Sequence, residues 1–317
     1  MKRNKLASGF FRCLALILLS SIAHAQTWKQ LDDKTAAFFD AGKIDSAIFY
    51  ATKQLAQAEK EFGKIDSNYY LTLGRLGFMY SKKKDYGKAG PLLLENLDLI
   101  KQVRGTKNLD YALGLEYLAT LYMGTENYEK AEPLYINALA IRKALAPEST
   151  EYITSVNNLA TLYVNTGRYA IAEPLLLEST AFFEKVSGPE SEDYGASLKN
   201  LSILYSLIGD YGKAEQYSVE SVSVYKTALG TQNPEYVKSL NNLAVLYDNM
   251  GYFEKAEPLY LDVMTITKKT AGVQNPTYAA SSNYLGLLYA KMGNYAKAEP
   301  LLLESIDICK KPGGQRM

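Results

Sequence analysis

Apolar residues recur along this chain at i, i+3, i+4 and i+7. In the stretch SLNNLAVLYDNMGYFEKAEPLY, residues 239–260, Leu240, Leu243, Ala244 and Tyr247 make one such stripe, the spacing of one face of an α-helix. Phe253, Ala256, Leu259, Tyr260 and Val263 begin a second stripe. Gly251 lies between them, a residue that tolerates the left-handed backbone of a helix C-terminus. The stretch therefore predicts a helical hairpin. Ala244 and Ala256 are small where large apolar residues would be expected, which lets the two helices approach closely. The tyrosine that closes the first stripe returns at Tyr80, Tyr122, Tyr163, Tyr205, Tyr247 and Tyr289, at intervals of 42, 41, 42, 42 and 42. Ala89, Ala131, Ala172, Ala214, Ala256 and Ala298 keep the same phase. A period of this length signals a solenoid or array.

Repeating the hairpin predicts first helices near 67–83, 110–124, 151–166, 192–208, 234–250 and 276–292. Their partners are predicted near 86–103, 128–145, 169–187, 211–228, 253–271 and 295–310. Asn233-Pro234 and Asn275-Pro276 read as an N-cap followed by a first-turn proline. Pro91, Pro133, Pro174, Pro258 and Pro300 fall deeper inside second helices, where each should remove a backbone hydrogen bond and bend the helix. Thr27 to Gly63 reads as a degenerate first unit, with Leu31, Thr35 and Phe38 on its stripe. Its more polar start suits a cap, against which Trp28 packs. The units lie near 27–64, 65–106, 107–147, 148–189, 190–231, 232–273 and 274–311. No linker interrupts them, so 26–311 reads as one continuous domain, with 312–317 a tail. No polar capping helix follows Lys311, so Leu301, Leu302, Ile306 and Ile308 should be partly open, a surface that favours self-association.

The pattern Leu-Ala-x-x-Tyr, then Gly-x-Tyr, then Ala resembles the tetratricopeptide repeat. The longer period, with "LNNLAVLY", "YEKAEPLY" and "ALAIRKAL", resembles the variant of kinesin light chains and of exported bacterial repeat proteins. The resemblance runs from Thr27 to about Lys311. It implies an all-α fold, a right-handed superhelical solenoid of antiparallel helix pairs with about seven repeats. It also implies that the first-helix face turned from the core lines a concave groove. In similar proteins, Asn on that face contacts peptide ligands.

Residues 1–25 read as a signal peptide. Lys2, Arg3 and Lys5 precede an apolar run from Phe10 to Ile22, and Ala23-His24-Ala25 is an A-x-A site, so cleavage is expected before Gln26. Its removal takes 4 of the 35 basic residues and no acid, leaving 31 bases against 34 acids, a net charge of −3. That balance argues against nucleic-acid or anionic-membrane partners, and no membrane span is expected after cleavage. The localisation implied is periplasmic or extracellular. The one His, His24, leaves with the leader, and of two Cys only Cys309 stays.

Catalytic inventories are missing. The mature chain has no His, no Cys cluster, no phosphate-binding glycine loop and no S-x-x-K. Carboxylate pairs such as Glu129/Glu132 and Glu254/Glu257 recur with the period at positions read as exposed, which marks them as structural. No cofactor or metal is expected, and the chain reads as non-catalytic.

A surface for binding remains. Opposite the core stripe of residues 239–260 lie Lys238, Asn242, Val245 and Asn249. The position of Asn242 recurs as Arg75, Tyr117, Asn158, Asn200 and Tyr284. Asn158, Asn200 and Asn242 form a ladder of amides able to bond an extended peptide backbone, with Tyr117 and Tyr284 flanking it. The peptide-groove set is thus Arg75, Tyr117, Asn158, Asn200, Lys238, Asn242, Asn249 and Tyr284. The alternative is a structural or regulatory array, the amino-terminal part of a protein whose effector domain, caspase-like in similar bacterial proteins, lies elsewhere.

Overall fold

The computed structural model describes residues 27–310; the expected leader and the tail lie outside them. Among the described residues there are fourteen helices and no strands. They are α1 (27–40), α2 (Ile44–Phe62), α3 (Ser67–Lys82), α4 (Tyr86–Arg104), α5 (Leu109–Gly124), α6 (Tyr128–Leu145) and α7 (Thr150–Asn165), then α8 (Tyr169–Val186), α9 (Glu192–Ile208), α10 (Tyr211–Leu229), α11 (Pro234–Asn249), α12 (Phe253–Ala271), α13 (Pro276–Lys291) and α14 (Tyr295–Lys310). They make about seven helix pairs of a solenoid. Each expected boundary from 67 to 310 lies within one residue of the observed one. The chain divides inside α7, between Leu162 and Tyr163, into two compact units.

Side-chain caps start many of the helices. Asn233 accepts from the Glu235 amide and Asn275 from the Thr277 amide, each at 2.8 Å, with Pro234 and Pro276 opening α11 and α13. Asp66, Asn108 and Ser191 do the same for α3, α5 and α9. Every hairpin turn passes through a left-handed residue. Gly42, Gly167, Gly209, Gly251 and Gly293 supply it in five units. In the other two the residue is Lys84, with φ 63°, and Glu126, with φ 57°. Glycine is therefore not obligatory there. The turn is held by a backbone bond that spans it, such as Tyr252 N–H to Tyr247 O at 2.8 Å and Asn127 N–H to Tyr122 O at 2.8 Å. The prolines Pro91, Pro133, Pro174, Pro258 and Pro300 lie inside helices that continue past them.

In the first unit, Trp28 meets Phe62 edge-on, with centroids 6.2 Å apart, and packs on the cluster of Ala58, Tyr69 and Leu73. Thr35 and Ala47 are buried between α1 and α2. The small-residue position of the first helix is Gly77 in the second repeat and Gly286 in the seventh. A Cβ added there would lie 2.7 Å from Leu93 and 2.9 Å from Leu302. Ala244 and Ala256 are fully buried at the same kind of contact between α11 and α12. Ala244→Leu should accordingly cost about 1–3 kcal/mol through overpacking, while Asn242→Ala costs far less. Denaturant melts of the two variants check this, and equal losses would refute the assignment of faces.

The motif Lys-Ala-Glu-Pro and its variants have a division of labour. In the second compact unit, the Glu of one repeat accepts from the tyrosine hydroxyl of the next: Tyr205 to Glu173 at 2.6 Å, Tyr247 to Glu215 at 2.9 Å, Tyr289 to Glu257 at 2.6 Å. The Lys lies over the ring of the same tyrosine, as Lys213 on Tyr205, Lys255 on Tyr247 and Lys297 on Tyr289, 4.5–4.7 Å from the centroid. Lys255 also reaches Glu215 at 3.0 Å. These carboxylates correct one expectation: Glu257 is half-buried and bonded across the repeat boundary, not simply exposed like Glu254. A second correction concerns α14. Ile306 is 47% exposed as expected, but Ile308 is buried at 6%, because the stripe turns it onto α13.

The first compact unit holds a buried ion pair. Arg142 on α6 donates to Glu116 on α5 through Nε at 3.1 Å and Nη2 at 2.8 Å, and Ser155 donates to the same carboxylate. Both charged residues are 5% exposed.

Candidate functional site

The first helices of the second compact unit set the candidate site. On α11 the buried set is Tyr236, Val237, Ser239, Leu240, Leu243, Ala244, Leu246 and Tyr247. It is wider than the four-residue stripe, because α11 also packs against α10 and α13. The opposite face carries Lys238 and Asn249, both exposed, and Asn242 and Val245, both half-buried.

Two cavities open on that face. One, of 310 Å³, lies between α11 and α13, lined by Lys238, Asn241 and Asn242 on one wall and by Thr277, Ser281 and Tyr284 on the other. The next, of 150 Å³, lies between α9 and α11, with Ser202, Ile203, Ser206 and Leu207 facing Asn242, Val245 and Asn249. Asn242 lines both. Its amide thus stands where two neighbouring recesses meet, with donors and an acceptor available to a chain running across the helices.

The walls are fixed by local contacts. Tyr284 stacks on the buried Tyr260 ring, centroids 5.9 Å apart and planes 19° apart. Lys238 bonds Glu235 at 2.6 Å, and Lys199 reaches the same carboxylate at 3.4 Å. The Lys238 hydrogen bond is the main reason the Glu235 carboxyl is held below its ordinary pKa. Ser281 and the Asn241 side chain lie 3.4 Å apart.

Lys238, Asn242, Asn249 and Tyr284 are therefore brought together around adjoining recesses. Arg75 and Tyr117 share a different cavity, of 350 Å³, in the first compact unit, lined also by Asp32, Phe39 and Phe78. There Arg75 is tied to Asp32 at 2.7 Å, and Tyr117 stacks on Phe78 at 4.8 Å. Burial raises the Tyr117 phenol pKa. Asn158, on α7, and Asn200, on α9, are half-buried and line none of these three cavities. The apolar wall of Ile203 and Leu207, 43% and 50% exposed, was not expected. The register held the signal, since these residues precede Val245 and Asn249 by one period. Among the described residues, no group of three His, Cys, Asp or Glu could hold a metal ion, and no helix is long and apolar enough to cross a membrane.

Comparison with known proteins bears on the scaffold. The family model described as tetratricopeptide repeat matches residues 68–144, 110–185, 150–227 and 235–311. A search of curated proteins found no match. Among solved structures, the chain is similar to nearly identical TPR-like repeats of a putative kinesin light chain from Podosopora anserina. Identity is 25% and the TM-score 0.57, covering 67% of this chain and 100% of that one. BtubC (BKLC) from P. vanneervenii is similar at 20% identity and TM-score 0.60, over 74% of this chain and 95% of that one. A tetratricopeptide repeat protein from Parabacteroides merdae gives 20% identity and TM-score 0.56, over 89% and 93%. At 20% identity the likeness is one of fold alone.

Proposed function

Because the chain belongs to the tetratricopeptide repeat family, we propose that it is an exported, non-catalytic scaffold that binds an extended peptide or protein segment across α9, α11 and α13. Repeat solenoids of this family are typically protein-interaction scaffolds, and long repeat surfaces are their usual working part. The observation that carries the reading is the pair of adjoining recesses sharing Asn242. Ile203 and Leu207 offer apolar contact, Tyr284 an aromatic anchor, and Asn242 a backbone-directed amide. The export part rests on the charged start, the apolar run and the A-x-A site of residues 1–25.

The test starts from chain recovered from the exporting cell's envelope, whose intact mass should begin at Gln26. Peptides it captures there are then titrated calorimetrically. Asn242→Ala should weaken binding several-fold, the loss of about one net hydrogen bond, and Tyr284→Ala should weaken it further. Undiminished affinity in both variants, with the fold intact by circular dichroism, would move the site elsewhere.

A further inference from the structure

The repeats serve as one another's controls, and one departs from the rest. A tyrosine recurs near the start of each first helix at Tyr69, Tyr111, Tyr152, Tyr194, Tyr236 and Tyr278. Twenty-six residues later, the second helix carries an acid in five of these repeats: Glu95, Glu178, Glu220, Asp262 and Glu304. Where the hydroxyl is bonded, the carboxylate is its partner. Tyr194 donates to Glu220 at 2.8 Å, Tyr278 to Glu304 at 3.2 Å, and Tyr69 to Glu95 at 3.5 Å. In the repeat of α5 and α6 the acid is replaced by Asn137.

Beside Tyr111 and Asn137 there is a cavity of 480 Å³, within the range of small-molecule sites. Its floor is Ile141, Ala144 and Leu145, and Lys107 stands at its rim. Two further substitutions shape it. Ala144 occupies the place of Gln102, Lys185, Thr227 and Lys269, so the floor lacks the polar side chain those repeats carry there. Lys107 occupies the place of Ile65, Glu148, Glu190, Gln232 and Gln274, so only in this repeat does that position carry a cation. The Tyr111 hydroxyl has no hydrogen-bond partner among the described residues. The site thus offers a phenol, an amide and an ammonium group as donors above an apolar floor, with the acceptor they lack removed from the protein itself.

We infer that this cavity binds a small aliphatic carboxylic acid, whose carboxylate takes the place that Glu95, Glu220 and Glu304 fill in the other repeats and whose chain lies on Ile141, Ala144 and Leu145. The Lys107 charge complements the anion, and the floor takes the hydrocarbon.

Decanoate is the probe, titrated calorimetrically into the full chain, with decanol as its uncharged counterpart. Decanoate should bind saturably at one site, and decanol roughly tenfold more weakly, the worth of a charge-assisted pair. Asn137→Glu restores the acid that five repeats tolerate, so it should fold normally yet abolish decanoate binding by charge repulsion. Lys107→Gln, the residue of two other repeats, should weaken decanoate and leave decanol unchanged. The inference fails if decanoate does not saturate, if decanol binds equally well, if both variants keep full affinity, or if a peptide ending in Leu displaces decanoate as the preferred ligand.

Discussion

Arg142→Ala should destabilise the first compact unit by about 3–5 kcal/mol, the usual loss when one member of a buried ion pair is removed. The geometry explains the size. Glu116 receives two guanidinium bonds and the Ser155 hydroxyl in a site shut from water. Without Arg142 its carboxylate keeps one neutral donor and an uncompensated charge. Removing both charges should be far milder. The second repeat carries Gly74 and Ile100 at these two places, in the same register. Glu116→Gly with Arg142→Ile should therefore recover most of the loss, and together with Glu116→Gly alone and Arg142→Ile alone it closes a double-mutant cycle that measures the coupling. Urea unfolding followed by circular dichroism decides it. A loss below about 1 kcal/mol in Arg142→Ala would put the pair at the level of a surface contact.

Alkali should unfold the second compact unit cooperatively between about pH 10 and 12. Tyr247 and Tyr289 have their phenol pKa pushed up to about 12, first by burial and then by the hydrogen bond to Glu215 or Glu257. Tyr194, Tyr205, Tyr225 and Tyr260 are also raised, burial again leading. In the unfolded chain each ionises near 10. Folding thus favours the protonated phenol. Its contribution is fully present below the unfolded value and lost as pH rises towards the folded one. Ionised Tyr247 would also place an anion against Glu215. The part of the 295 nm absorbance change that belongs to these buried tyrosines should therefore accompany the loss of helical ellipticity, above pH 10. Complete ionisation of Tyr205, Tyr247 and Tyr289 near 10 while the helices persist would show that their bonds to Glu173, Glu215 and Glu257 are open in solution.

The repeat register was legible because it needs only apolar spacing and one small residue per helix, and Leu240, Leu243, Ala244 and Tyr247 supply that without reference to the rest of the chain. The Arg142–Glu116 pair was not, since charge on a helix reads as solvated until a partner 26 residues away is placed. Lys84 and Glu126 hid the left-handed turn in two repeats for a similar reason: the closing backbone bond, not the side chain, dictates the conformation there. Of the groove residues, Asn242, Lys238, Asn249 and Tyr284 converge as their helical phase implies. Arg75 does not remain free, because Asp32 on α1 lies 43 residues away in sequence and 2.7 Å away in space. Helical phase specifies direction from one axis, and what stands across from it depends on the neighbouring pair.

The clasp of tyrosine, glutamate and lysine bears on how such a gene can grow. The repeats of α9–α10 and α11–α12 each donate a hydroxyl to the one before and offer a carboxylate to the one after, through residues 32 apart. A duplicated copy inserted in phase satisfies both neighbours at once and orphans no polar group. An insertion of any other length breaks the offset and leaves a phenol and a carboxylate unmatched. Unequal recombination in whole periods is therefore the cheap route to a longer or shorter array. Each new copy then begins as a spare, in which a position such as that of Asn137 is free to differ from the other repeats.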